Sequence, residues 1–64
     1  MLLKDQIDEI VGSYSEMITL EKNGQTIFHG SITSLLTNRK DLLGNELLEE
    51  LSFCVGKGYV GFLK

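Results

Sequence analysis

The sequence contains a single cysteine, Cys54, and a single histidine, His29, and this shortage excludes two common ways of stabilising a small domain. One cysteine cannot form a disulfide within the chain, and one cysteine with one histidine cannot supply the four ligands of a structural zinc site. A domain of 64 residues buries only about 60% of its unfolded surface. We therefore expect no metal or cofactor, support from oligomerisation or partner binding, and Cys54 as a small buried residue in a reducing compartment.

Basic residues are also few, because six Lys and Arg stand against nine Asp and Glu and give a net charge of −3. Nucleic-acid-binding domains usually carry a basic patch that displaces counterions, so direct nucleic-acid binding is not expected. No apolar run approaches the roughly 18 residues that a membrane span needs. Charged residues interrupt positions 1–11, unlike the start of a signal peptide. The sequence predicts one domain, residues 1–64, in a cytoplasmic protein without membrane contact.

Proline is absent, so glycines supply the breaks between segments of regular period. Residues 2–11 place Leu3, Ile7 and Ile10 on one helical stripe with charged residues opposite. Gly12 follows where such a helix would end, since glycine enters the left-handed region without strain. This pattern predicts an N-terminal helix packed on a sheet.

Residues 14–35 predict a β-hairpin, because Asn23-Gly24 is a strong turn signal between two apolar segments. A two-residue loop would place Leu20 opposite Ile27. A three-residue loop with a glycine bulge would place Leu20 opposite Thr26 instead. We prefer the three-residue loop, since it separates apolar from polar side chains better.

The preferred register also fixes the rest of the hairpin. It pairs Ile18 with Phe28, and it pairs Tyr14 with Ile32 at the far end. It puts His29 on the wetter face as an ordinary exposed strand residue.

Residues 36–55 allow two interpretations. Leucines at helical spacing favour an unbroken helix over 45–55, whereas alternation of apolar side chains near Phe53 favours a strand. We prefer a helical turn before about residue 50 and then a final hairpin that pairs Val55 with Val60 and Phe53 with Phe62. In both cases residues 59–63 form a strand.

The expected fold class is therefore α+β, with an N-terminal helix packed on a small antiparallel sheet of three to four strands. The expected order is helix, hairpin, short helix and final strand or strands.

Catalytic motifs are missing. The glycines at 56–61 lack the strand–GxGxxG–helix context of a dinucleotide site, and no serine has a GxSxG setting. The sequence thus predicts a protein that is not an enzyme.

Carboxylates form two clusters, one within residues 5–9 and one within residues 46–50. Solvated faces explain both, but an acidic surface can also dock onto a basic groove and compete with nucleic acid there. A sheet face left open would add the residues on its wetter side. The candidate partner-binding residues are Glu46, Glu49, Glu50, Met17 and His29.

Two family resemblances follow from these residues. The stretch Ile18-Thr-Leu-Glu-Lys-Asn-Gly-Gln-Thr-Ile-Phe-His-Gly-Ser-Ile32 resembles the first two strands of Sm-like proteins, with Gly30 at the glycine before an outgoing strand. That likeness implies an oligomeric RNA-binding protein.

The whole outline resembles small proteins encoded by phages and mobile elements of Gram-positive bacteria. It opens with Leu2-Leu-Lys-Asp-Gln-Ile7, continues with a hairpin, passes Leu42-Leu43 and finishes on an apolar strand. Several such acidic proteins act against host defence systems, including CRISPR nucleases. This resemblance implies a non-catalytic protein that binds another protein, such as a nucleic-acid-binding enzyme of the host. A structural or assembly protein acting as a homo-oligomer is an alternative.

Overall fold

A computed structural model describes residues 1–10 and 14–64, and these residues form an α+β fold with helices on one face of a four-stranded sheet. The expected fold class is confirmed. The elements are α1 (Leu3–Ile10), β1 (Met17–Lys22), β2 (Gln25–Ser31), α2 (Ile32–Asn38), a 3₁₀ helix (Lys40–Gly44), β3 (Ser52–Cys54) and β4 (Gly58–Leu63).

Helix α1 confirms the N-terminal helix, although the predicted Val11 end and the Gly12 stop lie outside the described residues. Leu3 and Ile7 are buried, as their spacing predicts. The buried stripe also contains Gln6, which is only 4% exposed. Its Oε1 accepts a hydrogen bond from the Leu51 backbone N–H at 3.4 Å, so a polar side chain fixes the helix to a segment 45 residues away.

The β1–β2 hairpin turns through the two residues Asn23 and Gly24, and the preferred three-residue loop is wrong. Both turn residues have positive φ, 54° and 79°, as the tightest hairpin turns require. A bulge then shifts the register between Leu20 and Glu21, so that Leu20 lies opposite Phe28.

Neither of the two predicted registers contains this bulge, and the pairs assigned to Ile18 change with it. Ile18 faces Gly30, not Phe28. The extra residue lets a tight turn coexist with an apolar core face, because the bulge restores the alternation that the turn would break.

Residues 32–35 are helical, so the predicted extension of the hairpin and its Tyr14–Ile32 strand pair are wrong. Ser31 ends the strand and caps α2, because its Oγ accepts a hydrogen bond from the Ser34 backbone N–H at 3.0 Å. Ile32 and Leu35 are then buried in the core at i, i+3 spacing. The Ile32 backbone N–H donates a hydrogen bond to the Glu16 carbonyl, just before β1, at 2.9 Å.

Removing this cap should cost about 1 kcal/mol of unfolding free energy, since Ser31→Ala leaves a backbone N–H of α2 without its acceptor. Ser31→Asp keeps an acceptor and should retain most of the stability. Urea unfolding followed by circular dichroism measures both. Equal stability of Ser31→Ala and wild type would contradict the capping role.

The segment before the last strands confirms the helical turn followed by a hairpin, and the unbroken helix over 45–55 is wrong. The predicted pairing within this hairpin is also wrong. Phe53 lies opposite Tyr59, and Val55 lies in the turn. Gly56 and Gly58 both have positive φ, 88° and 83°, which lengthens the turn and moves the register by three residues.

The sheet is mixed, whereas an antiparallel sheet was expected. Strand β4 runs parallel to β1 and antiparallel to β3, which gives the order β2-β1-β4-β3. The close approach of β4 to β1 requires glycine at position 58, because a Cβ there would fall on the carbonyl oxygen of Met17.

The core lies between this sheet and the helices. Its buried apolar side chains come from every helical element, from both central strands and from the segment before β3: Leu3, Ile7, Ile18, Leu20, Ile32, Leu35, Leu42, Leu47 and Leu63. Side chains alternate along a strand, so those between Ile18 and Leu20 point away from this core. The opposite face of the sheet is left without a covering helix among the described elements.

Candidate protein-interaction surfaces

The uncovered face of the sheet forms a shallow groove of about 580 Å³, which we call the sheet groove. Strand β1 contributes alternate residues to it, because Ile18 and Leu20 are committed to the core. Its lining consists of Met17, Thr19, Glu21, His29, Cys54, Gly56, Lys57 and Val60.

Two of the predicted partner-binding residues, Met17 and His29, line this groove. The His29 ring is exposed, as predicted, and its Nδ1 lies 2.8 Å from the Thr19 hydroxyl oxygen across the hairpin. Met17 is 39% exposed. An aliphatic thioether and a positioned imidazole therefore face solvent on the same side of the sheet.

Cys54 is exposed, so the expectation that it is buried is wrong. It lies on the edge strand β3 and lines the uncovered face of the sheet, where no helix packs over its side chain. His29 lies on the opposite edge strand, three strand spacings away, and that corresponds to roughly 14 Å. A thiol and an imidazole at that separation cannot form an activated nucleophile, although both line one groove.

Several groove residues are not among those that the sequence predicts. Val60 and Thr19 face each other across the β1–β4 pair, and Lys57 stands in the turn before β4. The parallel pairing of β1 with β4 brings these residues together, and period-two alternation along the last strand was the available signal for Val60. No local signal identifies the neighbouring strand.

The other candidate residues, Glu46, Glu49 and Glu50, lie away from the groove lining, on a segment that runs beside α1. The Leu3 backbone N–H donates to the Asn45 carbonyl at 2.9 Å, and the Leu47 N–H donates to the Met1 carbonyl at 3.0 Å. Gln6 holds the end of the same segment.

This arrangement places the two acidic clusters of the sequence on adjoining segments. We call the set the acidic side; its members are Asp5, Asp8, Glu9, Glu46, Glu49 and Glu50. All six are exposed. Carboxylates more than 35 positions apart in the chain thus lie on segments that hydrogen bonds join.

One member of the acidic side is partly neutralised. Lys64 Nζ donates to Glu46 Oε2 at 3.2 Å, and this hydrogen bond and the nearby positive charge lower the pKa of the Glu46 carboxyl. Glu49 and Glu50 are exposed, and neither takes part in the ion pairs among residues 1–10 and 14–64, which are Arg39–Asp41 and Lys64–Glu46. They therefore carry more of the negative field at the end of this segment.

Residues 1–10 and 14–64 contain no group of three or more His, Cys, Asp or Glu side chains that could hold a metal ion. Across the same residues, no helix has the length and hydrophobicity needed to cross a membrane. Comparison of the chain with protein-family models, curated proteins and solved structures finds no match. The sheet groove and the acidic side are therefore the features of this molecule from which a function can be inferred.

Proposed function

We propose that this protein is a non-catalytic interaction protein that binds the basic, nucleic-acid-binding groove of another protein through its acidic side. The observation that carries the proposal is the convergence of two acidic clusters, from α1 and from residues 46–50, on adjoining segments. The partner that fits this chemistry is an enzyme that normally binds nucleic acid.

Electrostatics supports this choice of partner. Exposed carboxylates can occupy positions that phosphates occupy in a nucleic-acid complex, and opposite charge accelerates encounter. The net charge of −3 is modest, but six of the nine Asp and Glu residues lie on two adjoining segments, which gives a stronger local field there than an even distribution would.

The local structure supports the role of Glu49 and Glu50 in particular. Residues 48–51 have no regular secondary structure, and the Gln6 side chain fixes one end of them to α1. A segment held at its ends can adjust to a partner without unfolding of the core. The resemblance to phage-encoded proteins favours a host defence nuclease as the partner, which would make this protein an inhibitor.

The test is competition with nucleic acid on purified CRISPR nucleases carrying their guide RNA. The protein should bind at least one nuclease of a panel and should lose binding when target DNA is already present. Glu49→Lys/Glu50→Lys should weaken that binding at least about tenfold, which is about 1.4 kcal/mol. Raising the salt concentration should weaken it as well.

Glu16→Lys is the matched control, because it reverses an exposed carboxylate outside the acidic side. It should change binding less than about twofold, within the small effect of remote surface charges. Binding that is independent of salt and of Glu49 and Glu50, or absence of binding to every nuclease of the panel, would overturn the proposal.

A further inference from the structure

From the sheet groove we infer that a second copy of this chain packs against it, face to face and about a two-fold axis. The groove lies on the side of the sheet opposite the helices, so its use does not compete with the core. It shares no residue with the acidic side, so this inference does not depend on the proposed function.

The composition of the face fits a protein surface. Met17 on β1 and Phe62 on β4 are each 39% exposed. Val60, also on β4, is half-buried and lies between these two residues along the strand direction. Met17 can adapt its shape to a facing side chain because it is unbranched and flexible. Thr19 and His29 add hydrogen-bonding groups at the side of this apolar centre.

The size of the face fits a copy of itself. Strands β1, β2 and β4 have six or seven residues and β3 has three, so a spacing of about 4.8 Å and a rise of about 3.3 Å per residue give a face roughly 20 Å long that narrows to roughly 10 Å at β3. The whole molecule measures 26 × 21 × 20 Å, so a second copy covers this face completely. Two such surfaces, made uneven by their side chains, would bury on the order of 1,000 Å² in total, which is at the threshold for a biological interface and typical of a weak one.

The charges of the face are complementary to themselves. Counting histidine as neutral, the formal charges in the groove lining are those of Glu21 and Lys57. Lys57 precedes the start of β4, whereas Glu21 lies near the end of β1, and the two strands run parallel. The acid and the base therefore stand at opposite ends of the groove, about five residue rises or roughly 16 Å apart.

A two-fold axis exchanges these two ends. Placed in the plane of the interface, midway along the groove near the Thr19–Val60 pair, it brings Glu21 of each copy opposite Lys57 of the other. The contact then closes with one acid–base pair on each side of an apolar centre. Packing of two sheets at a small angle satisfies this geometry.

The experiment is sedimentation equilibrium of the full chain over a wide concentration range, at low salt. Wild type should dimerise. Glu21→Lys and Lys57→Glu should each weaken the dimer at least about tenfold, because each places like charges opposite one another. The charge-swapped protein Glu21→Lys/Lys57→Glu should recover most of the affinity, since only a self-complementary contact permits such rescue.

Lys40→Glu is the control, an exposed lysine on the 3₁₀ helix outside the groove, and it should leave dimerisation unchanged. Circular dichroism confirms that each variant is folded. Three results would overturn the two-fold contact: a monomer at every concentration, a dimer that neither single reversal weakens, or a larger closed ring. A closed ring would favour the Sm-like alternative instead. If the wild-type protein bound no nuclease, the proposed function would fail, but the dimerisation measured here would be unaffected.

Discussion

Gly58→Ala is expected to remove about 2–5 kcal/mol of unfolding free energy. An L-residue held at positive φ costs about 1–2 kcal/mol, and Gly58 has a φ of 83°. A Cβ at this position would also fall on the Met17 carbonyl oxygen, which is backbone and cannot rotate away. Strand β4 would have to move away from β1, and overpacking of this kind costs about 1–3 kcal/mol more.

That loss is large for this protein. A domain of 64 residues has a total stability of about 3–10 kcal/mol, so the variant should be largely unfolded or have a much lower melting temperature. Thermal unfolding and urea unfolding, followed by circular dichroism, measure the change.

Gly56→Ala is the matched control that separates the steric cost of a Cβ from the cost of positive φ. Gly56 has a similar φ of 88°, but a Cβ there would meet nothing within 4 Å. Its cost should be the conformational strain alone, about 1–2 kcal/mol. If both alanine variants lost the same stability, the close approach of β4 to the Met17 carbonyl would not be a determinant of the fold.

Leu20→Ala is expected to cost about 3–4 kcal/mol. Leu20 is fully buried on the central strand β1, and truncation of a buried leucine loses transfer free energy and leaves a cavity. Leu48→Ala is the control, because Leu48 is 61% exposed and its truncation should cost less than about 1 kcal/mol. Urea unfolding distinguishes the two.

The same site offers a sharper measurement, because Leu20 packs over Gly61. A Cβ on Gly61 would lie 3.0 Å from Leu20 Cδ2 and 2.5 Å from Leu51 Cδ2. Gly61→Ala should therefore destabilise wild type, yet its added methyl should partly fill the space that Leu20→Ala vacates. The double variant should be more stable than additivity predicts. Strict additivity would show that Leu20 does not occupy the space above Gly61.

Several elements follow from local pattern. Helix α1 follows from the spacing of Leu3 and Ile7, since a helix with one apolar stripe is stable when that stripe is buried, here against the sheet. The turn at Asn23-Gly24 and the final strand β4 likewise follow from residues close in sequence. These features give the fold class before any long-range contact is considered.

Strand registers do not follow from such patterns. The bulge beside Leu20 and the three-residue turn before Gly58 each shift a hairpin by an amount that apolar–polar alternation alone does not reveal. The helix after Ser31 does not follow from local pattern either, for a related reason. A serine followed by β-branched residues suits a strand equally well, and its role as a cap depends on where the chain before β1 approaches.

The candidate surfaces divide in the same way. Exposure of Met17 and His29 on one face follows from alternation along the hairpin, whereas the groove exists because β4 is inserted beside β1 and brings Val60 and Lys57 with it. The acidic side likewise needs the hydrogen bonds that hold residues 45–51 against α1. Period and turn chemistry act over a few residues and so fix elements and their faces. Neighbours in space depend on packing between distant segments, which no single stretch of this chain encodes.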